Sequence, residues 1–242
     1  MTFKERLATV EERIAAACRK AGRDRGEVKL MAVSKMHPAE AICEAASAGL
    51  ALFGENRVQE FGAKRAQLPN GIEVHLIGHL QSNKAGKAAA IFDAIDTVDS
   101  LRLMERLDDA AKKAERQLPL LLEIKLSEEE AKTGFEPENA ELDQALEHAA
   151  DLRHVAVRGL MTVAPFDENP ETARECFRRL RMLRENLAWR YPKLDLSELS
   201  MGMSGDFDIA IEEGSTLVRI GTALFGARGL TRFNTDNCNA VP

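Results

Sequence analysis

The chain has 242 residues, 45% of them hydrophobic, a length that suits one α/β domain, since single barrels of that class commonly reach about 250 residues. Its Phe, Trp and Tyr content is low, at ten, one and one. Lys and Arg number 33 against 39 Asp and Glu, and the net charge of −6 argues against a protein that binds nucleic acid through a basic field.

Thr2 followed by Glu5 reads as a capping box opening a helix, and Phe3, Leu7, Val10, Ile14 and Cys18 recur at helical spacing before Gly22 ends it. Beyond Gly22, short apolar runs alternate with longer helical patterns. Val28–Lys35 reads as a strand and Pro38–Ala48 as a helix, with Pro38 in its first turn. Leu52–Asn56, Val74–Gly78 and Ala94–Val98 read as strands, followed in turn by the helices Val58–Leu68, Ser82–Phe92 and Leu101–Arg116. Leu118–Leu126 and Arg158–Val163 are strands, followed by the helices Pro137–Ala150 and Pro170–Arg190, the second closed by Tyr191-Pro192. Leu194–Met201 is a strand, Asp206–Glu213 a short helix and Leu217–Phe225 the last strand.

Strands that alternate with helices pair in parallel through crossovers. Eight of them in one chain of this length favour closure, and no G-x-G-x-x-G follows the first strand to support a doubly wound dinucleotide fold. The predicted architecture is a single (β/α)8 TIM barrel over residues 1–230 with an extra N-terminal helix. A polar tail over residues 231–242 is expected to fray. The four cysteines (Cys18, Cys43, Cys176, Cys238) form no C-x-x-C pair and have no histidine at ligand spacing. There is no signal-peptide core and no apolar run of membrane-spanning length. The expectation is a reduced, cytoplasmic protein with no membrane and no metal.

In such a barrel, chemistry sits at the C-terminal strand ends. Lys35 shares a strand face with Met31 and Val33, and an amine entering the mouth from an apolar wall would have a lowered pKa and suit attack on an aldehyde or ketone. The alternative is a strand-end lysine that reaches water. Arg219 lies within the apolar strand Leu217–Gly221, where an unpaired cation is costly. It meets either a carboxylate, such as Glu198, or a ring nitrogen or anion in the mouth. Ser200 to Gly205 follow the seventh strand, with Ser204 read as the N-cap of the next helix, and Gly221-Thr222 close the eighth. Small residues, hydroxyls and a helix start make an anion cradle, and these two loops are the usual phosphate site of the fold. With Lys35 and Arg219 they suggest a phosphorylated aldehyde. Other patterns fail: His75 and His79 on one strand would stand about 13 Å apart, and Gly78–Lys84 lacks the second glycine of a P-loop.

Ala32–Lys35, Phe53–Asn56, His75–Lys84, Arg158–Thr162, Leu199–Asp206 and Val218–Gly226 together resemble the pyridoxal phosphate homeostasis proteins, over about residues 3 to 228 with the motifs in order. The resemblance implies the alanine racemase N-terminal-domain barrel and a pyridoxal 5′-phosphate cofactor held as a Schiff base on Lys35. It implies that Arg219 faces the pyridine nitrogen, that Ser200, Gly221 and Thr222 hold the phosphate with Ser204 close by, and that Asn56 and Met201 lie near the ring. It further implies a monomer serving cofactor supply and amino-acid and keto-acid balance without strong turnover, with apo-enzymes that use pyridoxal phosphate as recipients. Two departures stand out: Lys125 replaces the family's usual Asn, although Lys132-Thr133-Gly134 still matches, and Arg57 stands where a smaller or aromatic residue is common.

Two other classes compete. A low-activity amino-acid racemase would need a second acid/base, a tyrosine carried in alanine racemases by a C-terminal β-domain for which the chain is expected to have no room. The single tyrosine, Tyr191, ends a predicted outer helix. An arginine at the ring nitrogen also weakens the electron sink. A barrel aldolase using Lys35 would lack a positioned carboxylate pair and would leave Arg219 unexplained.

Overall fold

The computed structural model describes residues 1–127 and 133–226; the expected tail, Cys238 and Lys132 lie outside them. Eight parallel strands follow the chain order: β1 (Lys29–Val33), β2 (Leu52–Glu55), β3 (Glu73–Leu76), β4 (Ala94–Val98), β5 (Leu118–Glu123), β6 (Val155–Met161), β7 (Glu198–Ser200) and β8 (Leu217–Ile220). Pairing of β8 with β1 closes the predicted barrel. The helices are α1 (Phe3–Lys20), α2 (Ala39–Ser47), α3 (Val58–Lys64), α4 (Ala85–Ile91), α5 (Leu101–Lys113), α6 (Ala140–Ala149), α7 (Pro170–Arg190), α8 (Phe207–Glu212) and α9 (Thr222–Phe225).

Strand alternation divides the core into two layers. Leu30, Ala32, Phe53 and Val74 join one buried cluster with the helix residues Ile42, Phe61 and Leu107 and with Phe92, the residue after Ile91. The opposite faces fill the barrel. Met31 stands in register with Arg219, and a Cβ on Gly54 would lie 2.7 Å from the Met31 sulfur and 2.8 Å from Ile77, so only glycine leaves room for both. His75 and Asp96 meet there at 3.0 Å.

The α1 capping box forms as read, with Thr2 accepting from the Glu5 amide and Glu5 accepting from that of Thr2. The helix packs on α8 and α9, on the flank of the barrel. Phe3 meets Phe225 with ring centroids 5.5 Å apart, and the Arg13 guanidinium lies 4.2 Å from the Phe207 ring while pairing with Asp208. Burial of Phe3, Val10 and Ile14 contributes about 1.5–3 kcal/mol apiece.

Several boundaries differ from the periodicity reading. Pro38 is the N-cap of α2 and not part of its first turn. β6 begins at Val155, because its pairing with β5 starts at Leu118 opposite Val155. β7 is confined to residues 198–200, although Leu196 before it is buried without joining the ladder. The predicted last strand, Leu217–Phe225, ends at Ile220, and residues 222–225 turn into α9. Leu224 and Phe225 are fully buried from a helix as readily as from a strand, and a short apolar run does not distinguish the two. Cys18, Cys43 and Cys176 are all buried. Local spacing does not report which side chains tertiary packing brings together. Among the described residues no helix is long and apolar enough to cross a membrane.

Candidate functional site

Arg219 anchors the C-terminal end of the barrel. Its side chain is 5% exposed, with Nη1 donating to Ser200 Oγ at 2.7 Å and Nη2 to the Thr162 carbonyl at 2.7 Å. No carboxylate among the described residues pairs with it directly. Glu198, the partner considered from sequence, instead pairs with Lys29 at 2.8 Å, two residues back along the pleat toward the other end of the barrel. Burial pushes the arginine down from its ordinary pKa, and Asp96, Asp206 and Glu123 act on it only as surrounding charge.

Lys35 follows β1 by two residues, in the turn after the strand whose Met31 stands in register with Arg219, and is half-buried. Asn56 follows β2; its Oδ1 is buried and has no hydrogen-bond partner among the described residues. Gly78 lets the chain beyond β3 pass close to Asn56, since a Cβ there would stand 2.3 Å from the Asn56 carbonyl oxygen.

The two glycine-serine loops meet, though not in the predicted way. Ser204 does not cap α8. That N-cap is Asp206, whose Oδ1 accepts from the Met203 amide at 2.5 Å. Ser204 Oγ instead accepts from the Ala223 amide of α9 at 3.3 Å and ties the β7 loop to the β8 loop. Gly221 is the N-cap of α9, and its carbonyl receives the amides of Leu224 and Phe225 at 2.9 Å each. Thr222 is exposed and Ser200 fully buried. Met201 is fully buried in the main hydrophobic cluster.

Glu123, at the end of β5, was not singled out from sequence. Burial, reinforced by the charge of Asp99, raises its carboxyl from 4.5 to about 7, against the opposing pull of Thr133, Arg219 and His79. The signal available was a carboxylate ending an otherwise apolar strand. His79 pairs with Asp99 at 3.1 Å, while His75 turns into the barrel toward Asp96 and Glu73. Lys125 joins the segment after it through its amide, which donates to the Phe135 carbonyl.

A cavity of about 420 Å³ opens at the opposite, N-terminal end of the barrel, lined among others by Lys29, Glu73, His75, Asp96, Arg158 and Glu198. Its charges are matched within the protein: Lys29 with Glu198, His75 with Glu73 and Asp96, and Arg158 with Asp195. Asn56 Oδ1, just past the C-terminal end of β2, is among the buried side-chain atoms with no partner among the described residues.

The closed eight-stranded parallel barrel is the fold of the alanine racemase N-terminal domain, and residues 6–229 match the model of that domain. A pyridoxal phosphate homeostasis protein of Aquifex aeolicus is 45% identical over 229 residues, spanning 94% of this chain and 99% of its own. The structure of PipY from Synechococcus elongatus PCC7942 with PLP bound is 42% identical, covers 93% of this chain and all of its own, and superposes with a TM-score of 0.82. Alanine racemase of Clostridium difficile 630 is 16% identical over 94% of this chain and 62% of its own, with a TM-score of 0.68, a likeness of fold alone. The chain belongs to the pyridoxal phosphate homeostasis protein family.

Proposed function

We propose that this protein holds pyridoxal 5′-phosphate at the C-terminal mouth of its barrel and serves as a cytoplasmic, monomeric carrier of the cofactor, supplying apo-enzymes and so influencing amino-acid and keto-acid balance. The observation that carries the reading is Arg219, a buried guanidinium with no carboxylate partner among the described residues, in register with Met31 on the strand that leads to Lys35. A buried cation in that state is costly unless it serves a ligand. The buried, unpartnered Asn56 Oδ1 adds a second group suited to a polar ring substituent. PipY, at 42% identity, provides the precedent of PLP binding on this fold.

When bound, the cofactor supplies an aldehyde that condenses with an amine with loss of water. Lys35 is the amine in this reading, and Arg219 is the donor toward the pyridine nitrogen. A guanidinium cannot give up its proton at neutral pH, so it leaves that nitrogen unprotonated and the ring a poor electron sink. Ser200, Gly221 and Thr222 bind the phosphate, with Ser204 closing the cradle through Ala223. Asn56 and Met201 flank the ring.

The racemase alternative gains nothing from Tyr191, which ends α7 and donates its hydroxyl to Asp143 Oδ1 at 3.0 Å. Adding pyridoxal phosphate to the purified protein is expected to produce a visible absorbance band that the K35A variant lacks. Borohydride reduction followed by peptide mapping should label Lys35. Failure of the protein to take up the cofactor refutes the reading, as does labelling at another lysine. Rapid exchange of α-deuterium from amino acids would restore the racemase reading.

A further inference from the structure

β1 ends at Val33, and the last ladder bond beyond it runs from the Ser34 amide to the Gly54 carbonyl at 3.0 Å. Lys35 therefore stands just outside the sheet, followed by Met36 in the left-handed region at φ +62°, which a non-glycine residue adopts only when its surroundings enforce it. The enforcing groups come from β2 and α3. Glu60 Oε1 accepts from the Met36 amide at 2.6 Å. Lys64 Nζ donates to the His37 carbonyl at 2.9 Å and to the Ser34 carbonyl at 3.4 Å, and pairs with Glu60 at 3.4 Å and with Glu55 at 2.7 Å. Glu55 in turn accepts from Ser34 Oγ at 2.6 Å. The backbone is thus held before Lys35, directly after it and one residue further on, while the His37 ring stacks on Phe225 with centroids 4.8 Å apart.

Most of this assembly is out of water. Glu55 is fully buried and the Lys64 side chain is 9% exposed. A buried ion pair of this kind contributes little net stability but fixes one arrangement, because either charge without the other is strongly unfavourable. Glu55 lies on the outer face of β2, Glu60 and Lys64 lie on α3, and Ser34 follows β1 directly. None of them is in the cradle formed by Arg219, Ser200 and the glycine loops.

We propose that Glu60 and Lys64 are positioning residues for Lys35: they lock the 34–37 turn, so that the amine of a flexible four-carbon side chain starts from one fixed backbone. The inference rests on the reading of Lys35 given above, and goes beyond it in assigning the control of the lysine to α3. Misplacement of a reacting group by about 1 Å costs up to about a hundredfold in rate, so the lock acts on how fast Lys35 reacts and not on whether the phosphate binds.

The test has two readouts. Hydrogen exchange at the Met36 amide of the cofactor-free protein is expected to rise about tenfold in E60A, the loss of one hydrogen bond to a charged group, and to stay near wild type in E60Q, which keeps the acceptor oxygen. The rate of covalent uptake of pyridoxal phosphate, followed by absorbance, is expected to fall about tenfold in E60A and to recover in E60Q. Since K64M alone strands the buried Glu55 charge and risks unfolding, the pair E55Q/K64M removes both charges together and should slow uptake similarly. Unchanged exchange at Met36 in E60A overturns the lock. Faster exchange with unchanged uptake overturns its role in positioning. A wild-type protein that takes up no cofactor refutes the proposed function instead, and leaves the exchange result standing as the test of the lock.

Discussion

At the residue scale, the chain keeps a charge where an apolar side chain would be cheaper. Arg219 is buried with no carboxylate partner among the described residues, and its hydrogen bonds to Ser200 and Thr162 only partly replace the water it has lost. R219M is therefore expected to leave the cofactor-free protein about as stable as wild type, within about 1 kcal/mol in urea unfolding, since the lost bonds and the relieved desolvation oppose each other. The same variant should weaken cofactor binding at least about tenfold, the value of one charged hydrogen bond. A large loss of stability with unchanged binding would show that the arginine is a structural group.

At the element scale, the mouth depends on two loops held at close quarters. The β7 loop bends back over α8 through Gly202, at φ +96°, where a Cβ would lie 2.5 Å from the Ala210 Cβ. The Gly202 carbonyl also receives the Arg219 amide at 3.0 Å, so displacing this loop disturbs β8 directly. G202A combines backbone strain with overlap and is expected to destabilise the protein by about 1–3 kcal/mol, measured by thermal or urea unfolding. Its cofactor affinity should fall as well, because Ser204 reaches Ala223 only when the loop follows this path. Wild-type stability in G202A would mean that α8 yields without cost.

At the scale of the whole molecule, the barrel interior carries a pH dependence of its own. Burial disfavours the charged His75 ring, but the Asp96 charge and the hydrogen bonds from Asp96 and Glu73 outweigh it and raise the pKa from 6.5 to about 10. The folded state thus holds a proton that the unfolded chain releases near 6.5. The stability this confers is complete below about pH 6.5 and is lost as pH rises toward about 10. Urea unfolding at a series of pH values should show this decline in the wild type and a shallower one in H75Q. Equal slopes in the two proteins would exclude His75 as its source.

Much of the architecture was legible in the chain itself. The alternation of apolar runs with helical periods announced the barrel, because parallel strands buried on both faces must be apolar and their crossovers must be helical. Ala94–Val98 and Pro170–Arg190 were readable to the residue, and the Thr2–Glu5 box marked where α1 begins. Lys35 and Arg219 stood out as charges in apolar strands. Partners were not legible in the same way. Glu198 looked like the neighbour of Arg219 but faces Lys29, Ser204 looked like a cap but serves Ala223, and neither Glu123 nor the Glu60–Lys64 lock was visible. Local propensity depends on spacings of two to four residues, which a sequence displays directly. The site is built from contacts between residues 19 to 57 apart, such as Arg219 with Ser200 and with Thr162, which exist only once closure of the barrel brings the strand ends together.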